Sequence, residues 1–552
     1  MSEQRMSAAQ SPGLGRRYRR FRHAVALVAV LACAIIAVGV ARSAGASSTG
    51  HQLIVGVGAL PITLDNDFAP GQESVEAVIN IYDPLFQWKN VPDAQGIPSA
   101  DIGAGEAGML RDLVQKWSVS PDGRTWTLYL RQGVKSASGD EMTSADVKWS
   151  FDRAFGTKAI GTYIMAVAGV PNPNAIQVVN KFKVKIHLSG PNGIFLQVMF
   201  VHPARIVDSK LAMAHATKSD PWSMTWLKTH SAGFGPYSVT QFVSGQQLVF
   251  TANPNYWGPK PYYTTVIYRA IPDQSQRLLL LESGTINVAE DLSTAQLASL
   301  KGNPKVKVID TVKNQFLYVG LNDTKGPTAN PTVREALQYA VPQSELNTVI
   351  YDGRGLPLRN MVPSSYPGFD GSLWPYSYNI AKAKALLAKA GYSKGFRLSL
   401  NVDSDVPEQV TAAVILESAF KQIGVTVSIH DNPSAAYQTA AASGTYGGSM
   451  AGSYAVVDEI CYHYATFTSG NGPVSYNNYS NPTYNALIAK CDTLPAGSAR
   501  TAVGVQLQKF VDQQVPSLSL LETPTTYGLS SNVSGYTWST FNQLRFDTLT
   551  GS

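Results

Sequence analysis

Gly233-Phe234-Gly235-Pro236-Tyr237-Ser238-Val239 opens the stretch that organises this 552-residue chain, and Asn253-Pro254-Asn255-Tyr256-Trp257-Gly258-Pro259-Lys260-Pro261 closes it. Proline fixes φ and glycine admits positive φ, so both ends are punctuated as turns. Between them Tyr237, Val239 and Phe242 lead on to Leu248, Phe250 and Asn253. Local physics predicts a β-hairpin here and no more.

Working outward, His51 to Val57 reads as a strand and residues 72–87 as a helix. Residues 90–110, rich in Gly, Ala, Pro and Asp, read as an exposed loop. Trp117 to Val134 is a second hairpin: Pro121-Asp122-Gly123 makes the turn, and Trp126, Leu128 and Leu130 alternate with Thr125, Thr127 and Tyr129. Thr143, with Asp146 three residues on, forms a capping-box pattern opening a helix over Val147 to Phe155. Asn330-Pro331 and Asn379 start further helices, the second stopping at Gly391. A helix over 408–423 ends at Gly424, and Val425 to Ile429 alternates as a strand, which is an α/β unit. Asn481-Pro482 and Ser498 open two late helices, and Pro516 to Leu521 reads as a buried strand.

The N-terminus differs from everything after it. Arg16, Arg17, Arg19, Arg20 and Arg22 precede Ala24 to Ala41, a stretch without charge, and Ala44-Gly45-Ala46 offers a small-residue cleavage pattern. A basic region, an apolar region and such a site describe an export signal. Three fates are open: cleavage after Ala46, retention of residues 24–41 as a membrane anchor, and lipidation of Cys33, which ranks last because Ala-Ile-Ile-Ala-Val after it stays apolar. Residues 1–46 hold seven Arg and one Glu, net +6, so the remaining 37 basic and 37 acidic residues cancel. A body of zero net charge gives no nucleic-acid footprint. Cys461 and Cys491 remain in the body. In an exported chain they are free to pair, two buried thiols being the alternative, and geometry decides between them.

Several further segments follow in order. Trp117-Ser118-Val119-Ser120 precedes Asp122-Gly123, and Leu130-Arg131-Gln132-Gly133-Val134-Lys135 leads to Thr143-Ser144-Ala145-Asp146-Val147. Then come Leu281-Glu282-Ser283-Gly284-Thr285-Ile286, Val333-Arg334-Glu335-Ala336-Leu337, Ala385 through Tyr392, and Tyr479-Ser480-Asn481-Pro482. With the opening hairpin and its Tyr-Trp-Gly turn, this series resembles the family 5 extracytoplasmic solute-binding proteins of ABC importers. That family includes oligopeptide- and dipeptide-binding proteins. The likeness covers nearly all of the chain after residue 50.

The resemblance implies an α/β fold of the periplasmic-binding-protein-like type II: two α/β lobes with an extra inserted domain (cluster C). Lobe I would comprise 50–90, 215–312 and 515–552; the extra domain 91–214; lobe II 313–514. A peptide or other small-molecule ligand would lie between lobes that close by a hinge, and ABC permease subunits would receive it. The resemblance implies a monomer with no cofactor, no metal and no catalytic residues. In peptide-binding members a Gly-Trp-x-x-Asp element offers a carboxylate to the ligand's α-ammonium. Here the corresponding stretch is Gly452-Ser453-Tyr454-Ala455-Val456-Val457-Asp458-Glu459, with Val457 where the acid belongs. The expected ligand contacts are therefore Tyr454, Asp458, Glu459 and Tyr446 on lobe II, and Asp65 on lobe I.

Other chemistry finds little support. Gly103-Ala104-Gly105-Glu106-Ala107-Gly108 matches G-x-G-x-x-G but follows no hydrophobic strand. Cys461-Tyr462-His463 with Cys491 lacks a recognisable metal spacing. No H-E-x-x-H, nucleophile elbow or Walker loop occurs. The alternatives are an exported hydrolase acting on peptides and a surface receptor or chaperone without transport.

Overall fold

A mixed sheet runs through the whole body of the protein. The computed structural model describes residues 51–68, 71–470, 475–477 and 479–552. The leader, with its expected cleavage, anchor and lipidation positions, lies outside the described residues. Among the described residues no helix is long and apolar enough to cross a membrane.

The strands used below are β1 (His51–Val57), β2 (Met109–Arg111), β3 (Val114–Val119), β4 (Thr125–Leu130), β5 (Ile176–Asn180), β6 (Lys183–His187), β7 (Tyr237–Val243) and β8 (Gln247–Ala252). They continue as β9 (Tyr263–Ala270), β10 (Val288–Ala289), β11 (Val306–Leu321), β12 (Phe396–Asp403), β13 (Val425–Asn432), β14 (Gly448–Tyr454) and β15 (Ser517–Ser530). The helices are α1 (Gln72–Ile81), α2 (Ser144–Gly156), α3 (Pro331–Tyr339), α4 (Ile380–Lys389), α5 (Pro407–Lys421), α6 (Ile460–Phe467), α7 (Pro482–Asp492) and α8 (Ser498–Gln514).

The large sheet has the strand order β7-β8-β9-β1-β10-β15-β11-β14-β12-β13. Its centre is the long antiparallel pair β11 and β15, whose register shifts between Val312 and Phe316. On one side of that shift Val306–Val312 pairs with Ser530–Pro524, and β10 joins β15 at Leu529 and Gly528. On the other side Phe316–Gly320 pairs with Glu522–Ser517, and β14 joins β11 from Leu321 back to Gln315. Two half-sheets are thus stitched by one pair of crossing strands. Each half has its own packing: Val333, Leu337, Leu387, Leu400, Leu416 and Val427 form a separate buried cluster around α3, α4, α5, β12 and β13.

A second, four-stranded antiparallel sheet, β3-β4-β6-β5, stands apart from the large one. Helix α2 packs on it, opened by the expected capping box: the Ala145 amide donates to Thr143 Oγ1, and Asp146 Oδ2 accepts from the Thr143 amide at 2.7 Å. This is the two-lobed α/β architecture with an additional domain.

The hairpin β7–β8 forms as its punctuation requires, and its first turn shows why glycine is needed. A Cβ on Gly235 would lie 2.6 Å from the Ile81 carbonyl oxygen, to which the Gly235 amide donates at 2.9 Å. The closing turn is tied in as well: Trp257 Nε1 donates to Asp83 Oδ2 at 2.9 Å. One expectation fails outright. Residues 90–110 are not a plain loop but hold strands at Asn90–Pro92, Pro98–Ala100 and β2, with a 3₁₀ helix over Ile102–Gly108. The expected helix over 72–87 also ends early, at Ile81.

Candidate functional site

In open α/β sheets ligands settle beyond the carboxyl ends of the strands. Here β14 ends at Tyr454, directly beside Gln315 on β11. One residue earlier Asn314 is completely buried and gathers three segments. Its Nδ2 lies 3.0 Å from the Ala455 carbonyl, 2.9 Å from Asp458 Oδ1 and 2.9 Å from the Thr540 carbonyl. Its Oδ1 accepts from Asn542 Nδ2. The crossing strand, the loop after β14 and the C-terminal segment therefore meet at one polar hub, with Asp458 Oδ2 left as a buried oxygen without a hydrogen-bond partner.

Asp458 is 1 % exposed and belongs to that hub. Burial pushes its carboxyl up to about 7, against the lowering effect of the Asn314 hydrogen bond and a looser interaction with the Tyr366 hydroxyl. Glu459 caps α6 through the Tyr462 amide (2.8 Å) and takes a forked ion pair from Arg500 on α8, Nε to Oε1 at 3.1 Å and Nη2 to Oε2 at 3.0 Å. Neither acid presents a free carboxylate to a ligand. Both expected acids are thus engaged within the protein, Asp458 at the Asn314 hub and Glu459 with α6 and Arg500.

Asp65 is likewise engaged inside the protein. It is 2 % exposed and meets Arg153 Nη2 of α2 at 2.5 Å. Tyr446 is separated from the others by strand geometry. It precedes β14, its ring tilted against His430 with centroids 4.6 Å apart, whereas Tyr454 ends the strand. Eight residues of extended chain span about 26 Å, so one small ligand cannot touch both tyrosines.

Tyr454 is the last residue of β14. It is partly exposed, and its hydroxyl interacts with Gln543, whose Nε2 is otherwise without a partner. Burial raises the Tyr454 hydroxyl above its ordinary range, and the charge of Glu73 raises it further, so the two lie within electrostatic reach. Glu73 opens α1, and α1 follows β1. Glu290 and Asp291 follow β10, the parallel neighbour of β1. Burial raises Glu73 and Asp291, and Glu76 behind them is pushed up to about 8. Asp291 retains exposed surface while being crowded enough to shift, which describes a residue in a crevice. Glu73, Glu290 and Asp291 thus gather acidic groups at the carboxyl ends of β1 and β10. The sequence pattern does not single out Glu73, Asp291 or Gln543.

Cys461 of α6 and Cys491 of α7 are joined as a disulfide with a Cα–Cα distance of 6.2 Å. His463 is fully buried, its Nε2 donating to the Met361 carbonyl at 2.7 Å, and burial pushes its pKa down to about 3. With both thiols bonded and the imidazole engaged, the weak metal reading loses its ligands.

The model of the bacterial extracellular solute-binding proteins, family 5 middle region, matches residues 109–474. The chain belongs to this family. Among relatives of family 5, the dipeptide-binding protein of Escherichia coli K12 is 26 % identical over 477 residues, covering 82 % of this chain and 89 % of the relative. Heme-binding protein A of Haemophilus influenzae is 25 % identical over 450 residues, covering 78 % and 82 %. Among solved structures, the ABC transporter-associated periplasmic binding protein DppA of Helicobacter pylori, in complex with peptide STSA, superposes with a TM-score of 0.78 at 24 % identity. That likeness spans 91 % of this chain and 98 % of the other and concerns the fold. Family 5 consists of solute-binding proteins, so at family level the role is binding and not catalysis.

Proposed function

We propose that this protein is the extracytoplasmic solute-binding component of an ABC importer. It captures a peptide-like or other small polar solute between two lobes and delivers it, unaltered, to permease subunits in the membrane. The observation that carries this reading is the single pair of crossing strands, β11 and β15, with a register shift at the crossing. Two half-sheets joined in that way can swing as bodies about the crossing. The lobes are drawn as 50–90, 215–312 and 515–552 for the first and 313–514 for the second, with 91–214 as the extra domain. The leader exports the chain, either cleaved after Ala46 or retained over 24–41 at the outer face of the membrane, and the protein acts as a monomer.

Tyr454 is the proposed contact from the second lobe, and the rim holding Glu73 and Asp291 faces it from the first. Of the residues expected from sequence, Asp65, Asp458 and Glu459 support the walls, and Tyr446 lies at the far end of β14. A micromolar affinity needs about −8 kcal/mol, within reach of a few hydrogen bonds to charged groups plus some apolar burial.

Native mass spectrometry of protein purified from its own source identifies the bound solute. Scattering with and without that solute is expected to report a more compact bound form, and Tyr454→Ala is expected to weaken binding at least tenfold. A peptide mixture returned cleaved would overturn the reading in favour of the exported hydrolase.

A further inference from the structure

The extra domain is fastened to the first lobe by several polar ties. Arg153 of α2 pairs with Asp65 at 2.5 Å, the Ile206 amide donates to the Asp83 carbonyl at 3.2 Å, and Asn66 Nδ2 donates to the Arg205 carbonyl at 3.1 Å. Asn253, at the closing turn of the β7–β8 hairpin, donates through Nδ2 to the Lys135 carbonyl at 3.2 Å. The Arg153–Asp65 pair is buried, where parting the charges is costly, so this domain moves with the first lobe. Toward the second lobe its contact is of another kind. In the helix Ile160–Val167, Tyr163 Oη lies 3.1 Å from Thr466 Oγ1 of α6. The backbone of Gly193 runs against Leu494–Ala496, just past α7. A Cβ on Gly193 would stand 2.4 Å from the Ala496 nitrogen, 2.7 Å from the Pro495 carbonyl carbon and 2.9 Å from the Leu494 carbonyl oxygen, and these are its three nearest atoms. Asn192 Nδ2 donates to the Val167 carbonyl at 2.7 Å, so Gly193 and Tyr163 are carried by one piece of the extra domain. The opposing surface is also held firmly. The Cys461–Cys491 disulfide joins the start of α6 to the end of α7. Arg500 pairs with Glu459, the N-cap of α6, at 3.0 Å, and its Nη1 donates to the Cys491 carbonyl and, at 3.4 Å, to that of Leu494.

We propose that the extra domain is a clasp: through Tyr163 and Gly193 it holds the second lobe against the first, with or without a solute between them. The inference rests on the two-lobed reading above and on the lobe boundaries drawn there. Two crossing strands alone leave the lobes free to part. A second tie, far in sequence from β11 and β15, biases them shut. At position 193 any side chain would meet backbone, which has no flexible end to turn aside, so glycine is what admits the approach. A close approach of two backbones is lost as a whole when the lobes separate, which makes a device with two positions rather than a sliding contact. Arg500 and the disulfide act as positioning groups: they fix Thr466 and Leu494–Ala496 where Tyr163 and Gly193 meet them.

The test is solution scattering on the protein after exhaustive dialysis has stripped it of solute. The parent is expected to give a compact profile. Gly193→Ala is expected to shift the ratio of shut to open forms at least about tenfold toward open, read as a larger radius of gyration, while thermal unfolding stays that of the parent. Gly190→Ala, on the same loop where a Cβ meets nothing within 4 Å, is expected to scatter as the parent does. Tyr163→Phe is expected to open the protein in the same direction as Gly193→Ala. Cys461→Ser/Cys491→Ser is expected to open the parent yet leave Gly193→Ala unchanged, because there the clasp is already lost. A parent as extended as Gly193→Ala, identical compact profiles for the two, or equal opening by Gly190→Ala would overturn the proposal. Opening by Gly193→Ala in a protein that proves to cleave peptides would uphold the clasp and strike the transport reading. A solute-driven compaction indifferent to Gly193→Ala would overturn the clasp and uphold that reading.

Discussion

Asn314 Nδ2 and Asp458 Oδ1 meet at 2.9 Å in complete burial, at the point where β11 passes from one half-sheet to the other. The carboxyl there is held nearer to its neutral form than any exposed aspartate, and the residues around it fix where the loop after β14 runs.

Stability should fall as the pH rises past this carboxyl. Its folded pKa, about 7, lies above the unfolded value of 3.8, so the folded state binds the proton more tightly. The contribution is whole below about pH 4, declines between 4 and 7, and is lost above 7. Asp458→Asn keeps an acceptor for Asn314 and removes the titration. Thermal melts should place the variant level with the parent near pH 4 and above it at pH 8, by up to about 4 kcal/mol.

Asp65→Ala leaves Arg153 buried without its 2.5 Å partner. Removing one member of a buried pair costs about 3–5 kcal/mol. Urea unfolding should register that loss, while the fraction still folded binds its solute with parental affinity. Loss of affinity without loss of stability would return Asp65 to the ligand site.

The Cys461–Cys491 bond closes a loop of sequence separation 30. Chain-entropy arguments give about 3–4 kcal/mol for a loop of that length. Cys461→Ser/Cys491→Ser, or reduction of the parent, should lower the melting temperature accordingly, and the two treatments should not add.

Gly235→Ala tests the turn that organises the sequence. The new methyl would press on the Ile81 carbonyl at 2.6 Å, a backbone atom that has no easy retreat. Overpacking of that kind costs about 1–3 kcal/mol, readable as an earlier denaturant midpoint with unchanged slope.

Local punctuation made much of this fold legible. The hairpin at Tyr237–Ala252, the capping box at Thr143 and the helices opened by Asn330-Pro331, Asn379 and Asn481-Pro482 all rest on residues within a few positions of each other. Residues 90–110 misled because their strands are only three residues long, Asn90–Pro92 pairing with Pro98–Ala100 and Met109–Arg111 with Phe86–Trp88. Glycine there answers packing: a Cβ on Gly108 would stand 2.2 Å from the Asp101 carbonyl. The site was legible only where one side chain carries it. Tyr454 stands out as an aromatic in a recognisable element. Glu73 reads as an ordinary first-turn acid, and its relation to Asp291 exists only because β1 and β10 lie side by side. The ion pair of Asp65 was not legible because its partner, Arg153, sits 88 positions further on.

Asn80 and Glu76 of α1 find hydrogen-bond partners at Leu544 and Phe546, more than 460 positions downstream, and β10 needs the end of β15 beside it. The packing of α1 is therefore completed only by residues 544–546, so one of the earliest helices to be synthesised cannot close its buried hydrogen bonds until that distant stretch exists.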